Sequence, residues 1–232
     1  MATFAKKTEI LFVVGLNLLL LVAAGIVTQQ RFSGALTLVA FLYTPIFILW
    51  LQGKGSDDFG FSLQHFFEIS KHLKVLGLAC LFTFVPFMLG FHVWQVVFKN
   101  QVFEFSQHPS AIWFLKILAV QILLVALPEE FFFRGYFQSR MGHLPFLAKH
   151  KLHLWGAVIE GGWGNLLITN LYFATVHLIN TPNPFRLLTF FPGLMFSFLW
   201  ARTRNLAVPI VYHALSNVLL FALFEFYGVK GG

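Results

Sequence analysis

Apolar residues in this chain come in long blocks separated by short polar stretches, not at the spacing of an amphipathic surface helix. A helix needs about 20 mostly apolar residues to cross a bilayer, within a range of about 17–25. Pro128 could divide one block in two, because proline lacks the backbone N–H that continues a helix. We therefore predict an all-α fold, a polytopic membrane helix bundle with seven or eight transmembrane helices. The predicted spans are 10–27, 34–51, 73–98, 111–140, 164–180, 186–201 and 206–226.

Composition supports a membrane protein, since 58% of the 232 residues are hydrophobic and 11% are charged. Such a chain has too little charged surface for a separate soluble domain, so we expect residues 1–232 to form a single integral-membrane domain. The first apolar block resembles a signal peptide, but further spans follow it, which favours a retained helix. Cys80 is the only cysteine, which excludes an intrachain disulfide and a cysteine-rich zinc site.

The formal net charge of +7 does not indicate a nucleic-acid partner, because the basic residues are scattered between apolar blocks. They indicate topology instead, since cytoplasmic loops are enriched in Lys and Arg. A cytoplasmic N-terminus leaves Arg31, Lys99, Lys116, Arg186 and Lys230 outside. The larger basic set is then inside: Lys6, Lys7, Lys54, Lys71, Lys74, Arg140, Lys149, Lys151, Arg202 and Arg204.

Three ionisable residues, Glu129, Glu130 and Arg134, lie within an apolar block. Charges at membrane depth are costly and usually mark a functional site. On a helix, Glu130 and Arg134 are about 40° apart, whereas Glu129 and Arg134 are about 140° apart. We therefore expect Glu130 to pair with Arg134, which leaves Glu129 as the candidate general base.

Two further polar groups lie in later apolar blocks. Asn170, Phe173 and His177 share one helical face, because His177 lies seven residues after Asn170 and four after Phe173. His213 and Asn217 share another face and can both donate hydrogen bonds to one oxygen. Either group alone is compatible with a hydrogen bond between helices. Together with the glutamates, they provide two bases and an anion-binding pair.

The order of these motifs resembles the CPBP family of intramembrane proteases, which includes the CAAX prenyl endopeptidases and bacteriocin-processing or immunity proteins. The motifs are Glu-Glu-x-x-x-Arg from Glu129, Phe-x-x-x-His from Phe173, and His-x-x-x-Asn from His213, all within 128–217. The segment from Arg186 to Asn217 also looks like members associated with bacterial C-terminal sorting signals. The basic insert from Arg140 to His153 lengthens the gap between the first two motifs.

The resemblance implies hydrolysis of a peptide bond in a hydrophobic or lipidated, membrane-associated substrate. Glu129 and His177 would activate water as catalytic residues, while His213 and Asn217 would stabilise the oxyanion. Glu130, Arg134 and Phe173 would support them. The resemblance also implies a multi-pass protein of the bacterial inner (plasma) membrane, whose partners are the substrate and the lipid bilayer.

Three other functions fit the same residues. A zinc-dependent protease could use the Glu and His set, but the chain has no His-Glu-x-x-His motif, so we expect no cofactor and no metal. A proton-coupled transporter could use intramembrane Glu and His residues as a proton relay. However, transporters usually contain repeats, and none is evident in this chain. A non-catalytic membrane scaffold is the third alternative.

Overall fold

The computed structural model describes residues 2–26, 36–53, 55, 64, 67–104, 110–180 and 183–229. Within these ranges the chain forms seven helices and one two-stranded sheet. The helices are α1 (Ala2–Ile26), α2 (Leu36–Leu51), α3 (Glu68–Phe98), α4 (Ala111–Gly142), α5 (Gly162–Asn180), α6 (Pro184–Thr203) and α7 (Ala207–Phe226). Arg31, Lys54 and Lys230, on which part of the predicted topology rests, lie outside the described residues.

Four of these helices, α3, α4, α6 and α7, are long and apolar enough to cross a membrane. The apolar stretches in α1 and α2 are shorter, at Thr8–Ala24 and Leu36–Leu51. Helix α5 is not among the four candidates, because polar residues such as Asn165, Asn170 and His177 lower its mean hydropathy. The structure therefore supports a helical membrane protein with four candidate spans, and seven or eight crossings stay a prediction.

Helix α4 runs through Pro128 without a break, so proline does not divide this block into two spans. Two π-helical segments, Gln121–Ala126 and Phe131–Gln138, flank a short α-helical segment at Leu127–Glu130. Proline is tolerated inside membrane helices where local π-helical adjustments satisfy the backbone groups that it leaves unpaired. Short π-helical segments within α-helices often occur at functional sites.

The predicted helical fold is confirmed for most of the described residues, but between α4 and α5 two antiparallel strands, β1 (Lys151–Leu154) and β2 (Ala157–Glu160), form a hairpin that the prediction did not include. Trp155 and Gly156 both have positive φ, at 44° and 76°, as a two-residue hairpin turn requires. Arg204, at the end of α6, donates a hydrogen bond to the Val158 carbonyl at 3.1 Å. The basic insert therefore leads directly into a hairpin that lies on α6.

Side-chain hydrogen bonds connect the N-terminal helices to the C-terminal half. Asn17 on α1 is fully buried and donates to the Ala40 carbonyl of α2, while Tyr172 of α5 donates to Asn17. Nearer the hairpin, Glu9 accepts from Tyr136 at 2.8 Å and pairs with Arg140 at 3.2 Å. One apolar core extends over α1 to α7, so the C-terminal helices α4 to α7 pack against the N-terminal ones.

Candidate active site

Glu130 and Arg134 form the predicted ion pair, with 3.2 Å between Arg134 Nε and Glu130 Oε2. Both side chains are fully buried. Arg134 Nη2 also donates to Asn170 Oδ1 on α5 at 3.2 Å and to the Gly193 carbonyl on α6 at 3.0 Å. The guanidinium therefore connects α4, α5 and α6, and its charge is balanced by a carboxylate within its own helix.

Aromatic rings surround this ion pair. The Arg134 guanidinium carbon lies 4.6 Å from the ring centroid of Phe173 and 5.2 Å from that of Phe196. The Phe196 ring also stacks on the His213 imidazole at 4.5 Å, with an interplanar angle of 18°. Cation–π contacts strengthen when the cation is removed from water, as it is here. The rings therefore stabilise the arginine and hold one imidazole in a fixed plane.

Glu129 lies beside two imidazoles that come from two other helices. Its Oε2 atom is 3.5 Å from His177 Nε2 and 4.0 Å from His213 Nε2. This oxygen is buried and has no hydrogen-bond partner among the described residues. The structure thus brings Glu129, His177 and His213 together, although 84 residues separate the first from the last in the chain.

The hydrogen bonds of the two imidazoles determine which ring nitrogen carries a proton. His177 Nδ1 lies 2.8 Å from the Phe173 carbonyl oxygen, which can only accept a hydrogen bond. His213 Nδ1 lies 2.9 Å from Oε1 of Glu130, whose carboxylate is paired with Arg134. Both Nδ1 atoms are therefore protonated, which leaves both Nε2 atoms near Glu129 available to gain or lose a proton.

His213 and Asn217 do not share an acceptor in the structure, although their spacing places them on one helical face. Asn217 Nδ2 donates to Gln121 Oε1 on α4 at 2.7 Å. His213 is one helical turn away on the same helix and faces the two glutamates instead. One of the two Asn217 amide N–H groups is therefore bound to Gln121, and the second is left for another acceptor.

Four residues of this site were not found from the sequence: Gln121, Gly193, Phe196 and Ser197. Ser197 accepts a hydrogen bond from Asn170 at 3.0 Å, and a Cβ atom at Gly193 would meet Asn170 Oδ1 at 2.6 Å. Gly193 and Ser197 lie four residues apart, and small residues at this spacing are typical of close helix packing in membranes. That spacing is the signal that predicts the close approach of α5 and α6.

No group of three or more His, Cys, Asp or Glu side chains in the described part of the chain has the geometry to hold a metal ion. Glu129, His177 and His213 are residue types that zinc can bind. The Nδ1 atom of each imidazole is hydrogen-bonded to an oxygen acceptor, as is also common for metal-binding histidines. The expectation of a metal-free site therefore stays a prediction.

The site lies within a segment of the chain that matches a family model. Residues 111–219 match the family model described as type II CAAX prenyl endopeptidase Rce1-like. No curated protein and no solved structure matches the chain. The matched segment begins with α4 and ends within α7, so it contains every site residue discussed above.

Proposed function

We infer that this chain, whose residues 111–219 belong to the Rce1-like family of type II CAAX prenyl endopeptidases, is an intramembrane endopeptidase that uses Glu129 as its general base. The family is one of hydrolases, so the reaction is cleavage of a peptide bond by water. The observation that supports this role is the buried Glu129 Oε2 beside two imidazole Nε2 atoms. A carboxylate within reach of two proton carriers has the components of general acid–base catalysis.

In the proposed reaction, Glu129 accepts a proton from water while the water oxygen attacks the carbonyl carbon of the substrate. His177 Nε2 accepts a hydrogen bond from this water and orients it. The tetrahedral intermediate collapses when Glu129 passes its proton to the nitrogen of the leaving amine, which breaks the C–N bond. The products are a carboxylic acid and an amine, and no further reactant is needed.

The oxyanion of the intermediate would be stabilised by His213 and Asn217. His213 can donate from Nε2 only as an imidazolium, and the Glu130 carboxylate at its Nδ1 stabilises that charge. Asn217 would contribute its second amide N–H. Glu130, Arg134 and Phe173 are positioning residues, because they contact the catalytic imidazoles and one another rather than the reacting atoms.

The depth of the site favours an apolar or lipidated substrate. Glu129 lies 13 residues before the end of α4, far from both ends of a helix that is long and apolar enough to cross a membrane. A prenylated or otherwise apolar segment can reach that depth with little desolvation cost. We further propose seven crossings, a cytoplasmic N-terminus and residence in the inner membrane of a bacterium.

The decisive experiment compares protein termini by mass spectrometry in cells that contain the wild type or Glu129→Gln at matched abundance. We expect new termini only with the wild type, because glutamine keeps the shape of the side chain and cannot accept the proton. Glu160→Gln is the matched control, since Glu160 lies on the hairpin and pairs with Lys151. Identical termini for wild type and Glu129→Gln would contradict the protease assignment.

The same variant separates the other functions. Proton-dependent uptake into vesicles would support a transporter, and full biological function of Glu129→Gln would support a scaffold. Zinc dependence needs its own measurement, namely metal content together with activity after chelation. Stoichiometric zinc, with activity lost on chelation and restored by the metal, would replace the metal-free mechanism by a zinc-dependent one.

A further inference from the structure

Gln121 is a buried amide at the start of the π-helical segment Gln121–Ala126 in α4, and only 7% of its surface is exposed. Its Oε1 accepts the hydrogen bond from Asn217 Nδ2 at 2.7 Å. Helices α4 and α7 run in opposite directions in this region, since Glu130 meets His213 and Gln121 meets Asn217. The amide pair therefore lies next to the catalytic groups along the same helix–helix interface.

We propose that Gln121 is a positioning residue that fixes the orientation of the Asn217 carboxamide for oxyanion binding. The inference rests on the proposed function, in which Asn217 donates to the oxyanion. A carboxamide has a donor side and an acceptor side, and rotation by about 180° exchanges them. In the structure the Gln121 oxygen accepts from the donor side of Asn217, and this orientation leaves the second N–H of Asn217 for the substrate.

The opposite orientation of the Asn217 carboxamide would weaken oxyanion binding. If Asn217 presented its oxygen to a tetrahedral oxyanion, two electron-rich atoms would face each other in a site with little water. Oxyanion-site donors contribute most when their orientation is set before the reaction begins. Gln121 keeps Asn217 in one orientation without contacting the substrate, so its loss should lower kcat more than it raises KM.

The test measures cleavage of a fluorogenic peptide that carries a prenylated cysteine, using the full-length protein in lipid vesicles. We expect Asn217→Ala to lower kcat by roughly a hundredfold or more, as for loss of one oxyanion donor. Gln121→Leu should lower kcat by roughly tenfold with little change in KM, because the donor remains but its orientation is lost. In the Asn217→Ala background, Gln121→Leu should have no further effect on kcat.

Gln138→Leu is the matched control, since Gln138 is also a buried glutamine on α4 and donates to a neighbouring helix, at the Ser197 carbonyl. We expect its kcat to remain close to that of the wild type. A Gln121→Leu enzyme with wild-type kcat, or one whose loss multiplies with that of Asn217→Ala, would overturn the role of Gln121 alone. Peptide cleavage that persists at the wild-type rate in Glu129→Gln would overturn the proposed function, and this inference with it.

Discussion

The Arg134 guanidinium is fully buried, so its charge has to be balanced by groups in its immediate surroundings. Glu130 supplies the opposite charge, Asn170 and the Gly193 carbonyl supply hydrogen-bond acceptors, and aromatic rings cover its faces. Glu130 in turn accepts from His213. The ion pair of Glu130 and Arg134 therefore also orients the His213 imidazole, so stability and catalysis depend on the same side chains.

Arg134→Ala should strongly destabilise the protein, because it leaves Glu130 buried without its cation. Loss of one partner of a buried ion pair costs about 3–5 kcal/mol. Thermal unfolding in detergent, followed by tryptophan fluorescence, should show this loss, whereas Glu129→Gln should unfold near the wild-type temperature. The double variant Glu130→Gln with Arg134→Met should be more stable than Arg134→Ala, since neither charge remains buried. Wild-type stability of Arg134→Ala would contradict the structural role of the pair.

Predictability from sequence differs among the residues of the site. The pairing of Glu130 with Arg134 follows from a spacing of four on one helix, and the structure confirms it. The contact between Gln121 and Asn217 does not follow, because 96 residues separate them and no local periodicity relates α4 to α7. Spacing within a helix is a local property, whereas contacts between helices depend on packing.

Helix α6 approaches α5 closely because Gly193 has no side chain at their contact. A Cβ atom there would lie 2.6 Å from Asn170 Oδ1 and 3.4 Å from Arg134 Nη2. The Gly193 carbonyl can therefore reach the guanidinium, and Ser197 can accept from Asn170. Helix α6 thus contributes two hydrogen-bond acceptors to the site, the Gly193 carbonyl and the Ser197 hydroxyl, without contributing a charged side chain there.

Gly193→Ala should force α6 away from α5 and lower both stability and activity. Overpacking of a tight contact typically costs about 1–3 kcal/mol. Gly77→Ala is the matched control, because Gly77 lies within α3 and a Cβ atom there would meet no heavy atom within 4 Å. In thermal unfolding we expect a lower midpoint for Gly193→Ala and an unchanged or higher one for Gly77→Ala, since alanine favours helix. Equal midpoints would argue against the close contact.

At the level of elements, hydropathy predicted the helices well and the hairpin not at all. Helices cover all seven predicted blocks within the described residues, because long apolar runs leave few alternatives in a membrane. The strands β1 and β2 are four residues each, too short for a periodic signal, and only the Trp155-Gly156 turn sets their register. The family resemblance drawn from three motifs is supported by the match of residues 111–219 to the Rce1-like family model.

The whole molecule has two chemically different ends. One end carries the hairpin with Lys149 and Lys151 in and before β1, and the end of α6 with Arg202 and Arg204, where Arg204 donates a hydrogen bond to Val158 of β2. Fewer basic residues, among them Arg186, lie where α5 gives way to α6. The positive-inside rule therefore predicts that the hairpin faces the cytoplasm.

The orientation can be measured directly because Cys80 is the only cysteine. In a Cys80→Ala background, Trp155→Cys places a thiol at the hairpin turn and Phe185→Cys places one at the start of α6, both at exposed positions. A membrane-impermeant maleimide should label residue 185 in intact cells, and residue 155 only after permeabilisation. The reversed pattern would invert the topology, and would mean that the basic residues of the hairpin face the outside against the positive-inside rule. Because both positions are exposed, labelling after permeabilisation gives each single-cysteine variant its own full-reaction control.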